Sequence, residues 1–534
     1  MTVADSRQKL PWALIGLIVI GALLRAPQIH YGSPIVRDPD SGYTVVGSHR
    51  LAAAWRAGQL ELDPGVYYYP TFYTNLVAAV GFIASPHNME EKGRAVSVLA
   101  LLGLIPAAFF IARRVSGRSA ALLAGALTSF GFFFIKQGIR PAPDALQTLA
   151  VVLALLPLMR GGRLRARDAV VSGLLAGVGA GTKYTAVVFV APALGLLELF
   201  HFLTGDRRGA LERIVIWSAA VVGGFALSSP QFFLFREEFL RHLKLQSEIQ
   251  HGGPIVETGK TAVSLLFSRT TTNVESPFAN SLAGMMGLPF VILSLAAVLW
   301  SLRRAVKLGD ARFAALAFAA IASYAFFAGV SKVAEVRYLL PTAVILTVLV
   351  AAMIVASAES ALRRTRRPWV ATLIVAVAVV FTFGPSIARD KAYLRMLRQP
   401  DARVRCAEWI LGNVPPGERL LTLMYAPSLP GGRYQPVQWT FPEYAFELSR
   451  PDAQPPTLER LRAEKIPWVI WSDFYAQRFL NGKMVPAAEN YAAGWRRFYA
   501  DIGGAADRKE RFDGAGTVGP TLEIFHVPPE KAAT

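Results

Sequence analysis

The sequence predicts a multi-span α-helical membrane protein that carries a small C-terminal α/β domain outside the bilayer. Three observations lead there. Apolar stretches of roughly 15–22 residues, the length a spanning helix needs, recur through the first 384 positions. Lys and Arg concentrate in the short connectors between those stretches. From about residue 385 the long apolar runs give way to amphipathic and alternating segments separated by turn residues. A chain of 534 residues that is 53% hydrophobic, with a mean hydropathy of +0.37, is too apolar for a soluble enzyme of its size.

The net charge of +19 invites a nucleic-acid reading, so its location matters. Much of the excess falls in "ARRVSGR" (112–118), "RGGRLRAR" (160–167), "DRRGALER" (206–213), "SLRRAVKLGDAR" (301–312) and "RRTRRP" (363–368). These are short loops between apolar runs, the positive-inside signature of cytoplasmic connectors. Nucleic acid is not needed to explain the charge.

Those connectors fix the parity of the crossings. Between two cytoplasmic loops the chain must cross an even number of times. Residues 119–136 pair with 145–159, 169–182 with 185–203, 213–228 with 281–300, and 312–329 with 339–358. Between Arg7 and Lys9 at the start and Arg113 lie 10–27, 71–85 and 94–112, of which one cannot span. The weakest is "TFYTNLVAAVGFIAS" (71–85), which is short and carries Asn75 and several hydroxyl residues; it reads as a helix lying along the interface. The first run reads as an uncleaved anchor, since no small-x-small cleavage site follows it. With 369–384 as the last crossing, about eleven transmembrane helices result. The membrane core is 1–384, with a first external loop over about 28–93 holding interfacial helices, and the domain 385–534 lies outside.

Within that domain, "DARVRCAEWILGNVPPGERLLTLMY" (401–425) reads as helix, Pro-Pro-Gly turn and strand. "TLERLRAEKIPWVIWSDF" (457–474) repeats the pattern, and "TLEIFHV" (521–527) is a final strand. About 150 residues suffice for an α/β core of its own. The single cysteine, Cys406, forms no internal disulfide and says little about compartment.

Parity also gathers charged residues on one side. Asp38 and Asp40 fall in the first external loop. The next external segment, "KQGIRPAPDALQ" (136–147), holds Arg140 and Asp144; the "GTKYT" junction (181–185) holds Lys183. The long loop 229–280 contains Arg236, His242, His251 and Glu257, and "SKVAEVRYLLP" (331–341) contains Lys332, Glu335, Arg337 and Tyr338. Charge at the membrane boundary is costly unless paired and marks functional sites. The set suits the handling of a lipid phosphate: Arg and Lys hold developing charge more strongly in a partly dehydrated pocket. A carboxylate takes the proton of an attacking acceptor hydroxyl. An ordinary aspartate titrates near about 3.9, so one doing this must act late, be raised by burial or be helped by a metal. Asp38-x-Asp40 also offers oxygen ligands to a divalent cation. Each residue has a plainer alternative: an N-cap for Asp40, a turn for Asp38, an Arg140–Asp144 pair, snorkelling for Lys183, interfacial anchoring for Arg337 and Tyr338.

Taken in order, "DPDSGYTVVGSHRLAAAW" (38–55), "YYYPTFY" (67–73), "RPAPDAL" (140–146), "GAGTKYTA" (179–186) and "EVRYLLP" (335–341) resemble the membrane glycosyltransferases of the GT-C fold. The nearest branch is the bacterial relatives of protein mannosyltransferases and of the lipid A aminoarabinose transferase. "AEWILGNVPPGERLL" (407–421) and "GPTLEIFHV" (519–527) resemble the exported tails of such proteins. The resemblance implies a sugar donor on a polyprenyl phosphate, and transfer with inversion on the external face of a bacterial-type inner (plasma) membrane. The acceptor is then a lipid, a glycan or a protein. It puts Asp40 at the catalytic acid of the first loop, with Ser41 where the family usually has Glu and Asp38 as the compensating acid. It puts Tyr69 and Pro70 at the aromatic-proline motif, with Tyr69 and Asp144 in the substrate pocket. Arg140, Lys183 and Arg337, with Tyr338, then fall on the donor phosphate. A secondary transporter or lipid flippase is the competing reading, but such proteins place acids in broken mid-membrane helices of two related halves, and the expected spans here are nearly free of acids.

Overall fold

A computed structural model describes residues 12–36, 41–252, 262–267, 280–329, 335–430, 432–437, 439, 447, 454–480 and 484–529. Asp38, Asp40, Glu257 and Lys332 lie outside the described residues, as does the side chain of His251.

Among the described residues, seven helices are long and apolar enough to cross a bilayer. An eighth crossing results if Arg118–Phe130 and Phe132–Ile139, bent by 49° at the intervening glycine, act as one. Length and composition stop there. The expected eleven also require Trp12–Gln28, Asp144–Leu158 and Ala166–Ala180, each shorter than the roughly 20 residues of a straight crossing. The segment read as interfacial forms the 13-residue helix Phe72–Ala84.

The helices sort by how much lipid their sequences tolerate. The segment Val336–Thr365 has 89% of its apolar window buried in the protein, against 17% for Pro368–Met396. The first, "VILTVLVAAMIVASA", is apolar on every face, as an interior helix must be. The second leaves Leu373, Val377, Val380 and Phe381 exposed, a lipid-facing surface. Close contact between Ala166–Ala180 and Arg207–Ser228 comes from small residues at four-residue spacing. A Cβ on Gly177 would lie 2.2 Å from the Val221 carbonyl oxygen, and one on Gly173 2.5 Å from that of Trp217. Without a hydrophobic driving force between helices in lipid, such backbone approach is what holds a pair together.

The segment that follows helix Pro368–Met396 folds around a mixed sheet. Its strands are β1 (Arg419–Thr422), β2 (Gln435–Val437), β3 (Trp468–Ser472), β4 (Arg508–Phe512) and β5 (Leu522–His526), in the order β2-β1-β3-β5-β4. β1 runs parallel to β2 and β3; β5 is antiparallel to both β3 and β4. Alternate residues feed two cores. Leu421, Val469 and Phe525 pack with Trp495 and Phe498 of helix Glu489–Ala505, while Leu420, Ile470 and Ile524 pack with Cys406 and Ile410 of helix Ala402–Asn413. β3, "WVIWS", is covered on both sides and buried throughout.

The change of composition near residue 385 falls inside the continuous helix Pro368–Met396, which leads to the sheet domain. The domain is also fastened to the first loop. Tyr31 donates to Asp401 Oδ2 at 3.1 Å, and the Ser428 N–H donates to the Ile35 carbonyl at 3.0 Å. From the membrane side, the buried Arg94 guanidinium donates to the carbonyls of Tyr31 (2.6 Å) and Val36 (2.9 Å).

Candidate functional site

Four chain segments far apart in sequence meet at one end of the helical core. Pro141 and Pro143 break the chain after the short turn Gln137–Ile139, so Arg140 is extended and Asp144 opens helix Asp144–Leu158. Lys183 sits in the break between Ala166–Ala180 and Ala186–Leu203, its own N–H donating to the Gly179 carbonyl at 2.9 Å. Gly181 in that break lets other chains in: a Cβ there would lie 2.0 Å from Ser228 Oγ, and its carbonyl accepts from the Phe72 N–H at 3.0 Å. Arg337 and Tyr338 lie on the turn Val336–Leu339 that starts the central helix.

Tyr69 is held by the residues just after it. Thr71 Oγ1 donates to Gln231 Oε1 at 2.5 Å, the Thr71 N–H donates to Ser229 Oγ at 3.1 Å, and the amides of Asn75 and Gln231 exchange hydrogen bonds at 3.0 and 3.2 Å. The polar residues that weakened helix Phe72–Ala84 as a span thus bind it to the loop after Arg207–Ser228.

The side chains then converge. Lys183 Nζ is 2.7 Å from Asp144 Oδ1, 4.0 Å from the ring centre of Tyr338 and 5.6 Å from that of Tyr69. Glu335 Oε2 lies 3.1 Å from Arg337 Nε and 3.9 Å from Arg140 Nη1. The Arg337 guanidinium lies 5.5 Å from the same Tyr338 ring, which is therefore within reach of two cations. Asp144, Lys183 and Arg337 are buried; Arg140 and Glu335 form the more open rim, their side chains 20% and 23% exposed. Tyr68 packs edge-on to Tyr69 and stacks on Tyr43 at 4.3 Å.

Asp144 pairs with Lys183, and the alternative pairing with Arg140 is not what forms: Arg140 turns to Glu335. Glu335 was legible only as one acid of its loop. Its role appears once Arg140 and Arg337 are seen to share one of its oxygens. His242 stands apart, its Nδ1 2.8 Å from the Glu238 carbonyl of its own helix. Among the described residues no group of three or more His, Cys, Asp or Glu is disposed to hold a metal. Chemically, clustered Arg and Lys donors backed by tyrosine faces and partly shielded from water suit a phosphate oxyanion.

Comparison with known proteins adds the fold. Residues 74–233 match the dolichyl-phosphate-mannose-protein mannosyltransferase family. No curated protein matches the chain by sequence. Among solved structures, the apo oligosaccharyltransferase of Archaeoglobus fulgidus aligns with a TM-score of 0.55 at 13% identity, covering 92% of this chain and 72% of its own. ArnT from Cupriavidus metallidurans bound to undecaprenyl phosphate aligns with a TM-score of 0.53 at 15% identity, covering 96% and 97%. The Archaeoglobus fulgidus oligosaccharyltransferase AglB, in complex with an inhibitory peptide and a dolichol-phosphate, gives 0.54 at 11%, covering 91% and 70%. The fold is therefore GT-C, in a multi-pass membrane protein. The family match covers residues 74–233 within the helical core, and the likeness to the solved structures extends the shared fold to the rest of the chain.

Proposed function

We propose that the protein moves a sugar from a polyprenyl-phosphate donor to a lipid, glycan or protein acceptor on the external face of a bacterial-type inner membrane, with inversion at the anomeric carbon. One observation carries this reading: Arg140, Lys183 and Arg337, brought from three distant segments, meet beside Tyr69 and Tyr338 in a fold shared with proteins solved with undecaprenyl phosphate and dolichol-phosphate. As the glycosidic C–O bond to the phosphate breaks, charge grows on the phosphate oxygens, and preplaced cations stabilise that growth without reorganising. The acceptor hydroxyl attacks the opposite face of the sugar, giving inversion. Asp40 takes its proton or orients it, with Asp38 beside it in sequence; both lie outside the described residues. Membrane lipids surround the donor's polyprenyl chain, and the sheet domain on the same side helps bind the acceptor.

The test is transfer from a polyprenyl-phosphate-linked sugar in proteoliposomes, with mass spectrometry of envelope glycans from cells with and without the gene naming sugar and acceptor. Asp40→Asn is expected to abolish transfer in protein that still folds and inserts. Full activity in that variant, or substrate flux with no new glycoside, would sink the reading.

A further inference from the structure

We infer that Glu335 is a built-in competitor for the donor phosphate: its carboxylate stands between Arg140 and Arg337, where a phosphate oxygen stands when the lipid donor binds. This rests on the donor-site reading above. Both guanidinium groups approach the same atom, Oε2, at 3.9 and 3.1 Å. The two sides of the contact differ in freedom. Arg337 is buried at the start of the most enclosed helix of the core. Glu335 is fixed through its backbone: its carbonyl accepts from the Tyr338 N–H at 2.9 Å, and the next N–H donates to Asn280 Oδ1 at 3.3 Å. Its side chain sits at the rim, 23% exposed, against 6% for that of Arg337, and is the more able of the two to change rotamer.

A buried arginine facing no anion is costly, so a carboxylate near at hand stabilises the site before a donor arrives. When a phosphate enters, two anions cannot share one pair of guanidiniums, and the movable one leaves. Asp144 is unlike Glu335 in this respect: it is buried, opens a helix and pairs with Lys183 at 2.7 Å, so it stays.

The exchange matters most after the reaction. The donor is a phosphodiester with one negative charge; cleavage at the sugar carbon leaves a polyprenyl phosphate monoester, which carries about −1.5 to −2 near neutral pH. The product is therefore held more tightly by the same cations than the donor was. Return of Glu335 to the arginines opposes that hold and frees the lipid.

The experiment measures binding of undecaprenyl phosphate to the full-length protein in nanodiscs, alongside single- and multiple-turnover transfer. Glu335→Gln is expected to bind the lipid phosphate about tenfold more tightly, the size of one competing charged contact removed. Its first turnover stays fast while its steady-state rate falls. Glu335→Asp, one methylene shorter, is expected to fall between the two and serves in place of the glutamine variant if that variant misfolds. Unchanged or weaker lipid binding in both variants overturns the inference. Arg337→Gln separates the two ideas. If it binds undecaprenyl phosphate as well as the parent protein, the donor-site reading itself fails; if it loses binding while the Glu335 variants do not gain, only the competitor role falls.

Discussion

Helix Ala186–Leu203 has an ion cluster beyond its start and another near its end, built from the same residue types in different geometry. At the far end Arg213 meets Glu198 through two parallel contacts of 2.8 and 2.7 Å, with a third to Asp206 at 2.9 Å; Arg163 completes the group through its own fork on Asp206. The Glu198 side chain has no exposure at all. Each guanidinium there is matched by a carboxylate of the right shape. At the near end, among the described residues, Lys183 meets Asp144 Oδ1 and two tyrosine faces, and Arg140 and Arg337 both approach Oε2 of the rim residue Glu335. A saturated fork is a structural joint, whereas cations that share an exchangeable anion are prepared to trade it.

The sharpest way to break this contrast is a crossed pair of substitutions. Arg213→Ala leaves Glu198 charged, enclosed and without its fork, which costs about 3–5 kcal/mol. Thermal unfolding in detergent is expected to show a large drop, while the protein that remains folded still transfers sugar. Lys183→Ala also leaves a buried carboxylate, Asp144, unpaired and costs stability, but it is set apart by the protein that stays folded, whose transfer falls about 10²–10³-fold, as for the loss of one donor to a transition-state oxyanion. If Lys183→Ala destabilises as much as Arg213→Ala and the surviving protein works normally, both clusters are structural.

The joint between sheet domain and membrane core comes next in size. Asp401 caps helix Ala402–Asn413 by accepting from the Arg403 N–H at 2.8 Å and also holds the Arg403 guanidinium at 2.8 Å. Burial works to raise its pKa, but these hydrogen bonds and the Arg403 charge prevail and leave it lowered. Tyr31→Phe removes the hydroxyl that donates to Asp401 and accepts from the Val518 N–H at 3.4 Å, a loss of about 1.5–3 kcal/mol for a hydrogen bond to a charged group. Hydrogen exchange of residues 28–36 is expected to quicken, with the interior of the sheet unaffected. Equal protection in parent and variant would mean that Arg94 and the Ser428 contact hold the loop unaided.

A smaller effect tests how Tyr338 serves the near cluster. Its ring centre is 4.0 Å from Lys183 Nζ, a distance at which the π face holds the cation. Tyr338→Phe is expected to stay within about twofold in kcat/KM, whereas Tyr338→Leu loses the equivalent of about 0.5–2 kcal/mol of transition-state stabilisation. Equal losses in the two variants would transfer the role from the ring to the hydroxyl.

How far the sequence reaches follows from where its signals are local. The strands "RLLT", "WVIWS" and "LEIFH" were legible because each is an apolar run framed by turn residues. β2 has three residues with Pro436 in the middle, and β4 reads "RKERF", so neither has an apolar pattern to find. Parity alone brought Arg140, Lys183 and Arg337 to one side of the membrane. Their pairings were not legible: that Lys183 takes Asp144, and that Glu335 serves two arginines, depends on how helices pack over distances no periodicity encodes.

Acid titration gives the smallest expected effect, and its smallness is the point. Asp206, just ahead of helix Arg207–Ser228, has its pKa lowered to about 2, first by the hydrogen bonds of Arg163 and then, against some desolvation, by those of Arg213 and the charge of both. A carboxylate with a lowered folded-state pKa contributes stability in full above its unfolded value of about 3.9, and that contribution is lost as pH falls through the folded value. Between pH 7 and pH 4.5 Asp206 should therefore stay ionised and the loops it ties equally protected, with loosening only as pH falls below about 4 toward 2. Hydrogen exchange of residues 160–168 and 204–213 reads this directly. Loosening already at pH 5 would show that Asp206 titrates like an ordinary surface acid, and the contrast between a closed joint at one end of the helix and an exchangeable site at the other would lose its firmer half.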